Sequence, residues 1–159
     1  TARIHGLLAA ASIEPSLICF EITETAAVAN LGQATHFIPE LKQTGCRFAL
    51  DDFGSGLSSF AYLKNFKVNM LKIDGGFIRD ITENRISESM VAAITQVAKV
   101  MDLQTVAEYV ETEETLELLT SLGVDYAQGF HIGKPSPRLR REPVSLTRGR
   151  SRKSRKKAG

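Results

Sequence analysis

Short apolar runs alternate along the chain with longer stretches in which apolar residues recur at helical spacing. Five runs predict strands: Leu17 to Ile22, Cys46 to Leu50, Val68 to Ile73, Leu103 to Ala107 and Val124 to Ala127. Runs that are apolar on successive residues, not on alternate ones, argue for parallel strands covered on both faces. Between them, Met90, Val91, Ile94, Val97, Ala98 and Met101 form one apolar stripe of a helix, which reads as core packing. Thr112 to Leu122 predicts a second helix, with Glu113 and Glu114 suited to its first turn and Gly123 to its stop. Ala27 to Gln43 predicts a third, disturbed at Pro39, and Ile4 to Ala11 the end of a fourth. The joins LKQTGCRFA (41–49) and LTSLGVDYA (119–127) share Leu, Gly and Ala at the same offsets, which suggests a repeated unit.

Polar residues gather where these runs end. Glu21 and Glu24 close the first, Asp51 and Asp52 the second, Lys72 and Asp74 the third, Glu108 and Glu111 the fourth, and Gln128 the fifth. Positions 21, 51, 72, 108 and 128 are separated by 30, 21, 36 and 20 residues, the length of one strand-helix unit. In parallel α/β sheets and barrels the chemistry sits at the C-terminal edge, so five polar strand ends facing one mouth make a candidate site.

Asp51 and Asp52 are its sharpest feature. Neighbouring side chains of a strand point to opposite faces, so the two carboxylates are expected to converge only where the strand dissolves into the loop FGSG. Held close, they raise each other's pKa unless a cation lies between them, and hard divalent ions favour such oxygen ligands. The competing reading is a turn, since Asp before Gly is ordinary turn chemistry. Glu24, Asp74 and Glu111 have a competing role too, as helix caps or partners of Lys and Arg.

Composition adds limits. With 159 residues, 43% hydrophobic and 24% charged, the chain has the apolar content of a folded domain. No apolar run approaches the roughly 20 residues of a membrane span, and no basic-then-apolar leader opens the chain, so a cytoplasmic location is expected. Cys19 and Cys46 lie within apolar runs and read as free thiols, and no His/Cys cluster has zinc spacing. The net charge of +2 conceals a division: residues 138–159 hold ten bases and one acid, and residues 1–137 hold ten bases and seventeen acids. We therefore expect a folded part, 1–137, and a disordered basic tail, 138–159. Such a tail has the charge to hold nucleic acid or anionic membrane. It has equally the composition of a merely solvated segment or of a shifted reading frame.

Five ordered motifs resemble the EAL-domain phosphodiesterases, which hydrolyse the bacterial second messenger cyclic di-GMP. They are FEITET (20–25), ALDDFGSGLSSFAYL (49–63), LKIDGGFIRD (71–80), VAEYVETEE (106–114) and QGFHIGKPSP (128–137). The resemblance covers Leu17 to Pro137. It implies an α/β fold, a partial TIM-type (β/α) barrel of about five C-terminal βα units out of eight, with two Mg²⁺ or Mn²⁺ ions at its mouth. By position, Glu21 resembles a ligand of one metal, Asp51 a bridge between both and Asp52 a ligand of the second. Lys72 resembles the residue that orients or deprotonates the attacking water, and Glu108 the acid that binds the second metal or its water. Gln128 is similar to a substrate-side contact, Glu24 to the anchor of the loop Phe53 to Ser59, and Glu111 to a supporting acid. The implied reaction opens cyclic di-GMP to linear pGpG, with a homodimer or another protein as a further partner.

Departures from the pattern shape the expectation. The Glu-Ala-Leu segment and an asparagine of the next strand, both metal ligands in the family, have no counterpart here. Tyr109 stands where the family usually has Gly, and the basic tail replaces a closing helix. The expectation is therefore a fragment of such an enzyme, inactive by itself. The alternative is a degenerate module that binds nucleotide or a protein without catalysis.

Overall fold

The computed structural model describes residues 1–55 and 60–137, so the expected basic tail falls outside the described residues. Five parallel strands form one sheet in sequence order: β1 (Cys19–Thr23), β2 (Arg47–Phe53), β3 (Met70–Ile73), β4 (Gln104–Ala107) and β5 (Tyr126–Ala127). Helix α1 (Ala2–Ala10) precedes β1; α2 (Glu24–Ala29) and α3 (Leu31–Lys42) link β1 to β2. Then α4 (Phe60–Leu63) leads to β3, α5 (Gly75–Ile78) and α6 (Arg85–Val100) lead to β4, and α7 (Glu113–Leu122) leads to β5. Each strand lies beside the next in the chain, the order in which a (β/α) barrel is laid down.

The apolar continuity of the runs has its cause in two layers. Phe48, Leu50, Leu71 and Ile73 point outward and join Ile38, Leu41, Ile94, Ala98 and Leu119 of the helices in a core that excludes solvent almost completely. The alternate residues Cys19, Glu21, Ala49, Met70, Lys72 and Val106 line a concave inner face around about 590 Å³ of space. Period-2 alternation thus separates a helix-side core from a strand-side cavity. Among the described residues β1 and β5 each keep one unpaired edge.

Element boundaries differ from expectation where side chains compete with the ladder. Pro15–Leu17 forms a 3₁₀ turn, which delays β1 to Cys19. Asp125 receives hydrogen bonds from the backbone N–H and hydroxyl of Thr105, 2.8 and 2.9 Å, so the last run pairs regularly only from Tyr126. The third helix breaks at Asn30, not at Pro39. Asn30 takes a non-helical φ of −122° and separates α2 from α3, whereas Pro39 lies inside α3. The carbonyl that Pro39 leaves without an amide partner belongs to half-buried Thr35, within reach of water. The similar joins at 41–49 and 119–127 both use a glycine with positive φ: Gly123, at +80°, caps α7, and Gly45, at +102°, lies in the turn between the end of α3 and β2.

Candidate metal centre

The carboxylate pair is placed by a defect in the ladder. Leu50 lies opposite Leu71 and Phe53 opposite Ile73, so β2 carries one residue more than β3 between those points. Asp52 absorbs the excess at φ +55°, in the left-handed region. A bulge of this kind re-aims the side chain that strict alternation would send to the helix side. The two carboxylates therefore converge inside the strand, which runs on to Phe53, and not beyond its end as the alternation argument expects. Asp can enter the left-handed region at modest cost because its short polar side chain bonds locally.

Lys72 stands at the middle of the group. Its Nζ is 2.8 Å from Asp51 Oδ1, 2.9 Å from Glu108 Oε1 and 3.1 Å from Glu21 Oε2. Three strands, β1, β2 and β3, and the residue just after β4 thus meet at one ammonium. Only 7% of the Lys72 side chain is accessible, against 53% for Glu21. Burial pulls the Lys72 proton affinity down, but the three neighbouring carboxylates, Asp51 first, outweigh it, and the net shift is upward. Without ions the group is a firmly held cation. For Glu108 burial is the largest effect and raises the pKa; Lys72 opposes it, while Asp51 and Asp52 reinforce it. Burial, helped by the two neighbouring aspartates, therefore outweighs the shared cation at Glu108.

The residues fit a hard divalent ion. Asp51, Asp52 and Glu108 each offer a carboxylate oxygen within 4.8 Å of the others. Asp51 Oδ1 is buried and receives no aligned hydrogen bond, although Lys72 stands beside it as an ion pair. A buried anionic oxygen with unspent lone pairs is costly unless a cation takes them. An all-oxygen donor set suits Mg²⁺, Mn²⁺ or Ca²⁺ over zinc or copper.

The remaining predicted residues fall into two places. Glu24, buried at the start of α2, accepts the Gly54 N–H at 2.9 Å and so ties down the first residue after the bulged strand. Gln128 lines the inner cavity, its backbone fixed by Gln128 N–H to Ala107 O (2.8 Å) and Val110 N–H to Gln128 O (3.0 Å). Glu111 is separate from the carboxylate group; it lines a smaller cavity of about 230 Å³ with Glu108, Tyr109, Gln128 and Phe130. Asp74 caps α5, accepting from Gly76 N–H at 2.8 Å.

The left-handed Asp52 had no sequence signal. Tyr109, noted in the sequence at the position of a usual glycine, follows Glu108 at φ +55°, with the Arg79 guanidinium 4.1 Å above its ring centroid. A non-Gly residue here accounts for the departure from the usual glycine only through local strain that packing must hold in place.

Comparison with known proteins places the same arrangement in context. The profile of the EAL domain matches residues 2–135. Cyclic di-GMP phosphodiesterase PdeF of Escherichia coli K12 is 47% identical over 135 residues, 85% of this chain and 18% of the relative. Cyclic di-GMP phosphodiesterase PdeB of Shewanella oneidensis is 42% identical over 125 residues, 79% of this chain and 15% of the relative. Among solved structures, a Pseudomonas aeruginosa MucR phosphodiesterase in complex with c-di-GMP superimposes with a TM-score of 0.80 at 37% identity. It covers 84% of this chain, and this chain covers 54% of it. Klebsiella pneumoniae BlrP1 in a manganese/cy-diGMP complex gives 0.76 at 31% identity, over 81% of this chain and 33% of the other. The chain thus spans less than a fifth of the two curated relatives and about half of the MucR structure.

Proposed function

The chain belongs to the EAL domain family, and from that membership we propose that it carries the metal-holding side of a cyclic di-GMP phosphodiesterase site, which opens the substrate to linear pGpG once the barrel is complete. The observation that supports this best is the buried Asp51 Oδ1, left without an aligned donor among Lys72, Asp52 and Glu108. Glu21 and Asp51 are suited to one ion, and Asp51, Asp52 and Glu108 to the other. When bound, two such ions neutralise phosphoryl oxygens and make a coordinated water acidic enough to react near neutral pH.

The chain's own residues do the positioning. Lys72 draws Glu21, Asp51 and Glu108 toward one point, and once these carboxylates hold ions its N–H donors would be free for a water oxygen or a phosphoryl oxygen. Glu24 holds the Gly54 amide, so the strand end that carries both aspartates cannot fray. The carboxamide of Gln128, exposed at the rim of the inner cavity, is placed for a substrate-side contact. Glu111, outside the carboxylate group, supports the rim. No described helix is long and apolar enough to cross a membrane, and a cytoplasmic substrate is the natural one for this site.

The test is Asp51→Asn in this segment joined to the N-terminal strands of a related EAL domain, assayed with cyclic di-GMP and Mn²⁺. Loss of turnover by about a hundredfold or more is expected, since the change removes, without altering shape, an anion that would hold metal. A rate within about tenfold of the parent would overturn the assignment.

A second reading rests on the two unpaired sheet edges. A five-stranded piece leaves the inner cavity open to solvent on the side of β1 and β5. The 159 residues alone then bind nucleotide weakly, if at all, and do not turn it over. Turnover by the purified segment at the rate of the completed barrel would exclude this reading.

A further inference from the structure

A second polar cavity lies at the other end of the sheet. Its volume is about 490 Å³, and it is lined by Lys42, Arg47, Lys67, Asn69, Asp102 and Gln104, among other residues. Lys42 ends α3, Arg47 opens β2, Lys67 and Asn69 precede β3, and Gln104 opens β4. Lys42 apart, these residues lie at or just before the N-terminal ends of strands, whereas Asp51, Lys72 and Glu108 lie toward the C-terminal ends, so this place does not depend on the phosphodiesterase reading.

Its chemistry is donor-rich. Three cations and one acid face the space, and among the described residues none of the four makes an ion pair within 4.0 Å. The amides tilt the balance further. Asn69 spends Oδ1 on the Phe48 N–H at 3.0 Å, which leaves its NH₂ group to present. Gln104 spends Oε1 on Arg47 Nη2 at 2.7 Å, and its NH₂ on the Tyr126 hydroxyl at 3.0 Å. Arg47 is thereby held in place with the rest of its guanidinium fork still to be used, the geometry that suits a phosphate or carboxylate. Burial lowers the Lys42 pKa, and Lys67 and Arg47 lower it further, so the three cations repel one another across the space. A bound anion would relieve that repulsion.

We propose that this cavity binds a phosphate group, held by Arg47, Lys42 and Lys67 with the Asn69 amide. Its volume exceeds that of the bare ion and lies within the range of small-molecule sites, which favours a phosphomonoester over free phosphate. Neither the metal centre nor the cyclic substrate takes part.

Titrate the 159-residue chain with inorganic phosphate and, separately, with glycerol phosphate, at constant ionic strength, following ³¹P line width and the melting temperature. Saturable binding is expected for both, tighter for the ester. Arg47→Met and Lys67→Gln should each weaken it about tenfold or more, the value of one charge-assisted hydrogen bond. Lys67 is exposed, so its replacement tests the site without threatening the fold. Arg85→Gln removes the same charge at the start of α6, also on the surface, and should change nothing. A response that never saturates, or one that Arg85→Gln reduces as much as Lys67→Gln, shows diffuse charge only and overturns the proposal.

Discussion

Lys72 shows how one residue can keep an incompatible group together. Glu21, Asp51 and Glu108 would repel strongly without it, and it is buried enough for the ion pairs to matter. Lys72→Met should therefore cost about 3 kcal/mol or more in the absence of metal, the lower end for a broken buried pair because Glu21 is half exposed. Millimolar Mn²⁺ should restore more stability to the variant than it adds to the parent, since the ion no longer competes with an ammonium. Chemical denaturation with and without Mn²⁺ checks this, and an equal metal response in both chains would contradict it. Tyr109 offers a second test at this scale. A Cβ added to Gly75 would overlap the Tyr109 ring, so Gly75→Ala should destabilise by about 1–3 kcal/mol, as overpacking does. Tyr109→Gly trades a left-handed strain of about 1 kcal/mol against a half-exposed ring stacked on Arg79, and should be nearly neutral. In the double variant the cost of Gly75→Ala should largely vanish, which a double-mutant cycle measures.

At the scale of elements, α6 depends on a small network at its start. Asn84 Oδ1 accepts from Ile86 N–H at 3.0 Å and Ser87 N–H at 3.5 Å, satisfying amides that the helix cannot. Asp80 then accepts from Asn84 Nδ2 and Ser87 Oγ, both at 2.7 Å. These bonds, the one from Asn84 first, hold the Asp80 carboxyl below its ordinary pKa. The sign follows from linkage: the folded state prefers the ionised form, so its contribution is complete above the ordinary carboxyl pKa and is lost as pH falls through the lower native value. Asn84→Ala should cost about 1 kcal/mol, and Asp80→Asn should flatten the fall of stability with pH below about 4. Urea midpoints collected from neutral to acidic pH decide it. A parent and Asp80→Asn variant with parallel profiles would remove Asp80 from the account.

For the whole molecule the open sheet is the governing feature. Among the described residues the outer edges of β1 and β5 are unpaired and expose backbone donors and acceptors, and Leu17, Tyr126 and Phe130 are exposed near them. Such edges associate unless something covers them. Light scattering of the purified chain should show concentration-dependent association, reduced when the N-terminal half of a related barrel is added. A monodisperse monomer at every concentration would contradict this. Removal of residues 138–159 should leave the melting temperature within about a degree or two, because a segment with ten bases and few apolar side chains has little to bury.

The division between sequence and tertiary structure follows from the range of the forces involved. Strand and helix placement was legible because burial on two faces writes apolar runs and helical stripes directly into the chain, as at Phe48 to Leu50 and Val91 to Ala98. So were the acidic first turn at Glu113 and Glu114 and the stop at Gly123, which act within one turn, and the polar residues that close each strand. The break at Asn30 was hidden because Pro39 is the stronger local signal, yet a half-exposed carbonyl makes it tolerable. Register was likewise invisible. Only pairing against β3 forces the extra residue of β2 into a bulge at Asp52, turns that carboxylate toward Asp51 and Glu108, and leaves Asp51 Oδ1 without an aligned donor. The protonation of Lys72 belongs to the same level, since it is the sum of burial and three carboxylates brought from two other strands and the residue just after β4. Local pattern selects what each segment becomes, and contacts between segments far apart in the chain decide where its charges meet.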